Sequence, residues 1–280
     1  MVVAPKRVDF AVAPINIMMV IDDQMVAQAL NLCRTIIAHN PRERIHFYVV
    51  CEQVSRHYQA VLQWRFEDDP WVTMHLLTPN VALPPNVATS DRIPKAAYYR
   101  VLVDQLLAGQ PVQRVLYLDV DMVNTGRLRS LYATDLGTKL IGAVADGGDL
   151  GRFAKMNLAH VPHERYFNSG MLLIDVARWR AEHVAQQVLA YAQANVMLCR
   201  YHDQDALNAI LHDQWQPLHP RYNAQTNIML GATQRFSKKV LQSVRQHPVL
   251  VHFCGHQKPW KNGFPHQFLE KLYYNAALGS

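Results

Sequence analysis

The chain has 280 residues, 50% of them hydrophobic and 18% charged, with a formal net charge of +6. That length and apolar content suffice for a self-supporting core and exclude a disordered or collagen-like chain. The positive excess is spread over short pairs (Arg42/Arg44, Lys238/Lys239, Lys258/Lys261) rather than along one stripe. This argues against a nucleic-acid partner and fits phosphorylated small molecules or an anionic membrane surface.

At the start of the chain, Lys6-Arg7 ahead of Ala11-Val12-Ala13 imitates a secretory leader, but Asp9 stands where its apolar region should begin. The stretch 8–21 is broken by Asp9, Pro14 and Asn16 and is too short to span a bilayer. Residues 16–21 read as a buried strand, followed by Val26, Leu30, Cys33 and Ile37 at helical spacing. Strands are expected at 45–50 and 71–77. A loop with Pro79, Pro84 and Pro85 then leads into a helix presenting Tyr98, Val101, Leu102 and Leu106 on one face. The run 115–118 gives the clearest strand pattern, with further short apolar strands at 140–144, 171–174 and 249–253. Residues 147–165 show no period and read as a loop long enough to cover a site. Strands alternating with helices predict an α/β fold around a largely parallel sheet. No linker divides the chain, so one domain over residues 1–280 is expected, with a short helical tail at 263–280. Cys33, Cys51, Cys199 and Cys254 form no Cys-x-x-Cys pair, a pattern of core thiols in a reducing compartment.

Two motifs carry chemistry. Residues 114–118 run straight into Asp119-Val120-Asp121. In extended backbone i and i+2 project to one side, so both carboxylates converge at a strand's C-terminal end, where open α/β sheets place ligands. Two carboxylates about 4 Å apart repel by roughly 4 kcal/mol at an effective dielectric near 20, and a divalent cation relieves that cost. Oxygen ligands suit Mg²⁺ or Mn²⁺, and an added imidazole shifts the preference to Mn²⁺. Asp-x-Asp alone also occurs in solvated turns, so a second cluster matters. His252-Phe-Cys-Gly255-His-Gln-Lys258-Pro-Trp260 again follows an apolar strand. His252 can supply the imidazole, Gly255 a close backbone approach, and Lys258 a compact cation for phosphate. Asn168-Ser169-Gly170 and His202-Asp203-Gln204-Asp205 are further polar clusters at element ends. The first suits sugar hydroxyls, and the second reads equally as a helix start with acids in its first turn.

Taken together, these segments resemble retaining glycosyltransferase family 8, which includes the galactosyl- and glucosyltransferases of bacterial lipopolysaccharide and relatives of glycogenin. In chain order the matching motifs are Asp22-Asp23 after a strand, Tyr98-Tyr-Arg100, Leu-Tyr-Leu-Asp119-Val-Asp121 and Gly142-Ala-Val-Ala-Asp146. They continue with Phe-Asn168-Ser-Gly170, Asp203-Gln204-Asp205-Ala-Leu-Asn208 and the segment from His252 to Trp260, spanning about residues 16–262. The resemblance implies a GT-A fold, a Rossmann-like domain with a mostly parallel mixed sheet, and transfer of a hexose from a UDP-sugar to a glycan or glycolipid hydroxyl. It implies Mn²⁺, with Mg²⁺ as the alternative, on Asp119, Asp121 and His252. Val20, Ile21 and Asp22 would line the uridine pocket, Val120 the ribose, and Gly255 and Lys258 the diphosphate. Arg100, Asp146, Asn168, Ser169, Asp203 and Gln204 would surround the donor sugar. Gln204 would lie nearest the anomeric carbon and Asp203 would position sugar hydroxyls. An amide is a feeble nucleophile, so same-face attack by the acceptor hydroxyl is the expected route. A cytoplasmic protein with at most weak peripheral contact at the inner membrane face follows, because the chain ends soon after Leu272-Tyr273-Tyr274 without the longer basic and aromatic tail of some relatives.

The chain departs from the family pattern at Gln24-Met25, where Asn-Tyr is common, and at His256 in the diphosphate loop, expected to face solvent. Two rival readings use the same residues: a haloacid-dehalogenase phosphatase with Asp119 as nucleophile, and a nucleotide-sugar-binding module without turnover.

Overall fold

A computed structural model describes residues 9–87 and 95–276. The leader-like Lys6-Arg7 and the last four residues of the expected tail lie outside the described residues. The main sheet contains β1 (Ile15–Ile21), β2 (Ile45–Cys51), β3 (Val72–Leu77), β4 (Arg114–Leu118), β6 (Ile141–Ala145), β7 (Phe167–Asp175) and β8 (Trp215–Pro217), in spatial order β3-β2-β1-β4-β7-β6-β8. A second sheet joins β5 (Met122–Asn124), β10 (Leu250–His252) and β9 (Ala224–Gln225), with β10 central.

Every pairing in the main sheet is parallel except those of β7, which runs antiparallel to both β4 and β6. The sequence placed this strand at 171–174, but it begins at Phe167. Its reversed direction brings its start, not its end, beside the C-terminal end of β4, and the Asp119 amide donates to Gly170 O at 2.8 Å. Val144 faces Asn168 while Ala143 faces Leu172, so Ser169, Gly170 and Met171 have no partner on β6 and bulge at the sheet's edge.

Alternation along the strands sorts side chains between two cores. Ile15, Ile17, Met19 and Ile21 of β1 pack with Val26, Ala29, Leu32, Cys33 and Ile36 of α1 (Val26–His39). On the opposite face, Met18, Tyr48 and Tyr117 meet Tyr98, Trp179, Val188 and Leu207. Val188 lies on α3 (Val184–Ala194) and Leu207 on α4 (Asp203–Leu211); α2 (Arg56–Trp64) precedes β3, its first turn capped by Ser55. A third core joins the small sheet to α5 (Lys238–Gln246) and α6 (Gln267–Asn275) through Val251, Phe253, Val244, Leu269 and Tyr273.

The expected helix around Tyr98 is a 3-10 segment, Lys95–Leu102, that continues into the short α-helix Val103–Leu106. Its apolar face is the one predicted: Tyr98, Val101 and Leu102 are buried. The segment 147–165 is more than a loop. It holds the helix Arg152–Lys155 and the 3-10 turn His163–Arg165, with a small core of Phe153, Met156, Val161 and Tyr166. Arg152 anchors it to α4 through a bidentate pair with Asp205 at 2.6 and 2.8 Å. Three of the four thiols behave as core residues: Cys33, Cys51 and Cys199 are buried and unpaired, and burial pushes Cys51 up to about 11, whereas Cys254, beside the site, is half-buried.

Candidate active site

The site forms at the C-terminal ends of β1 and β4, where β4 stops and the chain turns through Asp119-Val120-Asp121 into β5. Antiparallel pairing of β5 with β10 sets Met122 opposite His252, and so delivers the imidazole to the two carboxylates from a distant part of the sequence. One ligand atom from each of Asp119, Asp121 and His252 lies within 4.8 Å of the others. His252 Nε2 is 3.1 Å from Asp121 Oδ1 and 4.0 Å from Asp119 Oδ2.

These residues fit a hard divalent cation. Asp121 Oδ1 is buried and accepts no well-aligned hydrogen bond despite the nearby ring. Gly170 borders the cluster so closely that a Cβ there would lie 2.3 Å from His252 Cε1 and 2.8 Å from Asp119 Oδ2. The chain thus keeps a glycine where any side chain would push the ligands aside.

Positive charge surrounds the carboxylates. Lys258 Nζ donates to Asp121 Oδ2 and to Phe253 O, each at 2.6 Å, and the Phe253 amide donates to Asp121 O at 3.0 Å. Burial opposes ionisation of Asp121, but Lys258 and His252 outweigh it and hold the carboxyl well below the usual range. Burial likewise works against the charges of Lys258 and His252. Asp121 restores Lys258, and Cys254 with Asp121 restores His252, so both hold their protons more tightly than usual. On the other side, Arg100 is buried and bridges two acids: NH2 lies 3.0 Å from Asp119 Oδ1 and Nε 3.0 Å from Asp203 Oδ2. Arg100 NH1 also donates to Ser169 O at 2.9 Å. Burial pushes the Asp203 carboxyl up to about 6; Arg100 opposes that rise and Asp119 adds to it.

The residues expected from the sequence to surround the donor sugar form one connected network. Gln204 Oε1 accepts from the Ser169 amide at 3.1 Å and from Asn168 Nδ2 at 3.3 Å; its Nε2 donates to Asp146 Oδ2 at 3.3 Å and to Tyr166 OH at 3.2 Å. Asn168 Nδ2 also donates to Asp146 Oδ2 at 3.1 Å. Asp203 and Gln204 stand in the first turn of α4, whose N-cap His202 contributes no capping side chain. The acids there are held by Arg100 and Arg152, and Asp205 Oδ2 also accepts from the Tyr201 amide at 2.7 Å.

Other expected residues sit differently. The Ile21 and Val120 side chains turn into the core beside α1, leaving only their backbones to face the site, while Val20 is half-buried on the opposite side of β1. Asp22 Oδ1 caps the 3-10 turn Asp23–Met25 by accepting from the amides of Gln24 and Met25. Gly255 has φ +89 with open space where a Cβ would be, so the backbone turn is what requires glycine. His256 is exposed, as expected.

Several neighbours escaped the sequence reading. The buried Tyr117 OH donates to Asp119 Oδ1 at 2.8 Å, and Arg100 stacks 4.8 Å above its ring. Its position two residues before Asp119 was the available signal. Asn223, which ends the 3-10 turn Pro220–Asn223 and lies 3.0 Å from His252 Nδ1, and Gln225 of β9, which accepts from the Gly147 amide at 2.9 Å and donates to Ala145 O at 3.1 Å, offered none, because these contacts arise only in the fold. An open cavity of about 450 Å³ follows Asp146 in the fold; Gly147, Gly148 and Leu150 line one wall, and Gly231, Ala232, Thr233 and Gln234, ahead of α5, the other.

The model of glycosyl transferase family 8 matches residues 16–263. General stress protein A of Bacillus subtilis (strain 168) is 36% identical over 190 residues, covering 66% of each chain. A lipopolysaccharide 1,2-glucosyltransferase of Escherichia coli (strain K12) is 24% identical over 247 residues, 87% of this chain and 71% of that one. The first three curated relatives are matched over 66%, 57% and 33% of their own lengths, so this chain spans between a third and two thirds of them. The galactosyltransferase LgtC, solved in complex with donor and acceptor sugar analogues, has the same fold. It superposes with a TM-score of 0.78 at 23% identity, covering 94% of this chain and 95% of that one. The expected GT-A architecture is therefore the one observed. With a family model that takes in β1, β4, β7, α4 and β10 alike, the chain belongs to glycosyl transferase family 8.

Proposed function

We propose that this chain, as one GT-A domain, is a retaining hexosyltransferase that moves galactose or glucose from a UDP-sugar to a hydroxyl of a glycan acceptor such as lipopolysaccharide core. Family membership supports the reaction type, and the names of the E. coli relative and of LgtC support glucose or galactose as cargo. The observation that carries the reading is the meeting of Asp119, Asp121 and His252 with Lys258 on one side and Arg100, Asp203 and Gln204 on the other.

Asp119, Asp121 and His252 would hold Mn²⁺, with Mg²⁺ as the substitute. When bound, the cation supplies charge to stabilise the UDP leaving group. Lys258 would leave Asp121 for the diphosphate, adding a second positive charge as the glycosidic C–O bond breaks. Gly255 and the backbones of Val20, Ile21 and Val120 would shape the nucleotide pocket with Asp22. Asp146, Asn168 and Ser169 would hold donor hydroxyls. Among these residues Gln204 is no free nucleophile, since its carbonyl oxygen already accepts hydrogen bonds from Asn168 and Ser169. Asp203 is paired with Arg100. This favours same-face attack: the acceptor oxygen bonds to the anomeric carbon, the C–O bond to UDP breaks, and the hydroxyl proton passes to the departing phosphate oxygen. The cavity that follows Asp146 would admit the acceptor. The Asp119 carboxylate, committed to Tyr117 and Arg100, does not support the phosphatase reading.

Among the described residues no helix is long and apolar enough to cross a membrane. We place the protein in the cytoplasm, with weak peripheral membrane contact at most.

The test is release of UDP from UDP-galactose and UDP-glucose with and without Mn²⁺. Mn²⁺-dependent release that Asp121→Ala abolishes is expected. Binding of a donor without release would make the protein a binding module, and hydrolysis of a phosphomonoester with no action on either donor would revive the phosphatase.

A further inference from the structure

His252 is buried and has two ring nitrogens to place. One faces the carboxylates; the other, Nδ1, lies 3.0 Å from Asn223 Oδ1. Which nitrogen carries the proton follows from a chain of amides anchored at a donor that has no freedom. The Gly170 backbone N–H donates to the Asn168 side chain at 3.1 Å, so the atom it meets must be the Asn168 oxygen. That oxygen also meets the Asn223 side chain at 2.9 Å, so Asn223 presents its NH₂ there and its own oxygen to His252. An amide oxygen only accepts; Nδ1 therefore carries hydrogen. In a neutral ring the lone pair is then on Nε2, aimed at Asp121 and Asp119. Asn223 and Asn168 are themselves buried, so no solvent competes for these bonds.

We propose that Asn223 is a positioning residue that fixes His252 in the Nδ1–H tautomer and reserves Nε2 for a divalent cation. Through Asn168, which also donates to Asp146 and Gln204, it ties the cation's ligand to the pocket for the donor sugar. The inference rests on the metal reading of the preceding subsection. Outer partners of a metal-bound imidazole set ring orientation and basicity, and losing one typically costs about 10–100-fold in metal affinity.

The test is titration of the full chain with Mn²⁺ alone, followed by calorimetry, together with imidazole ¹⁵N spectra of the Mg²⁺-saturated protein, the His252 signal being assigned by its loss in His252→Gln. Asn223→Leu, similar in volume and unable to hydrogen-bond, is expected to bind Mn²⁺ about 10–100-fold more weakly. Asn223→Asp, which keeps an acceptor for Nδ1–H, should retain the wild-type His252 tautomer. A folded Asn223→Leu protein that binds Mn²⁺ as tightly as wild type overturns the proposal. Should that variant fail to fold, the wild-type spectrum decides: a His252 proton on Nδ1 supports the assignment and one on Nε2 refutes it. If wild type takes up no Mn²⁺ at all, the metal reading itself falls, an outcome distinct from loss of the Asn223 effect.

Discussion

Gly170 shows how much one absent side chain can decide. Its virtual Cβ meets a buried imidazole already held by Asn223 and a carboxylate already held by Tyr117 and Arg100, so neither neighbour yields freely. Gly170→Ala is expected to cost about 1–3 kcal/mol of stability by overpacking and to weaken Mn²⁺ binding. Thermal denaturation and Mn²⁺ titration would check both, and wild-type values for the variant would show that the ligands have room to move. Asp203 makes a different prediction. Its carboxyl is raised to about 6 in the folded chain, above the ordinary value of about 3.9. The folded state therefore binds this proton more tightly than the unfolded one. The resulting stabilisation is complete below about pH 4 and lost as pH rises through the folded value. Asp203→Asn removes that dependence, so wild-type stability should fall relative to the variant between about pH 4 and 7. Parallel curves from the two proteins would show that Asp203 is ionised throughout. Tyr117 was legible in principle from its i, i+2 relation to Asp119, whereas the need for a glycine at 170 arises only from the fold.

At the scale of elements, the segment 147–165 is tied to α4 by a buried ion pair, beside its small core around Phe153 and the bond from Arg235 to His163 O. Arg152 and Asp205 expose 4% and 0% of their side chains, and Tyr166 OH adds a bond to Asp205 at 2.6 Å. Removing one member of such a pair strands a buried charge, at a cost of about 3–5 kcal/mol. Arg152→Leu should therefore lower the denaturation midpoint by a corresponding amount and speed proteolysis within 147–165. Unchanged stability and cleavage would mean that the small core around Phe153 suffices alone. The longer strands were legible because apolar runs such as 115–118 are unambiguous, whereas β5, β8 and β9, two or three residues each, went unread. The direction of β7 was not, since a strand buried on both faces shows no period that distinguishes parallel from antiparallel. That direction is nonetheless what brings Asn168, Ser169 and Gly170 to Asp119. The aperiodic 147–165 concealed its structure for another reason: its anchoring partner Asp205 lies far along the chain, beyond any local window.

For the whole molecule, the α/β class, the largely parallel sheet and the strand-end residues were readable because each rests on local patterning or a short motif, while the mixed character of the sheet came only with the family resemblance. Of the second sheet only its central strand β10 was readable, at 249–253; β5 and β9 are three and two residues long and show no pattern. Yet that sheet joins the two halves of the site, pairing β5 after Asp121 with β10 at His252. Lys258 and Arg100 then flank the carboxylates from opposite sides and offset their charge; in the proposed reaction Lys258 would exchange Asp121 for a diphosphate. The claim on which the account turns is that these three side chains bind one divalent cation together. Anomalous diffraction from crystals soaked in Mn²⁺ and UDP tests it directly. The account predicts a single strong peak within coordination distance of carboxylate oxygens of both Asp119 and Asp121 and of His252 Nε2, beside the UDP phosphates. UDP bound without a peak there, or manganese seated away from His252, would contradict it.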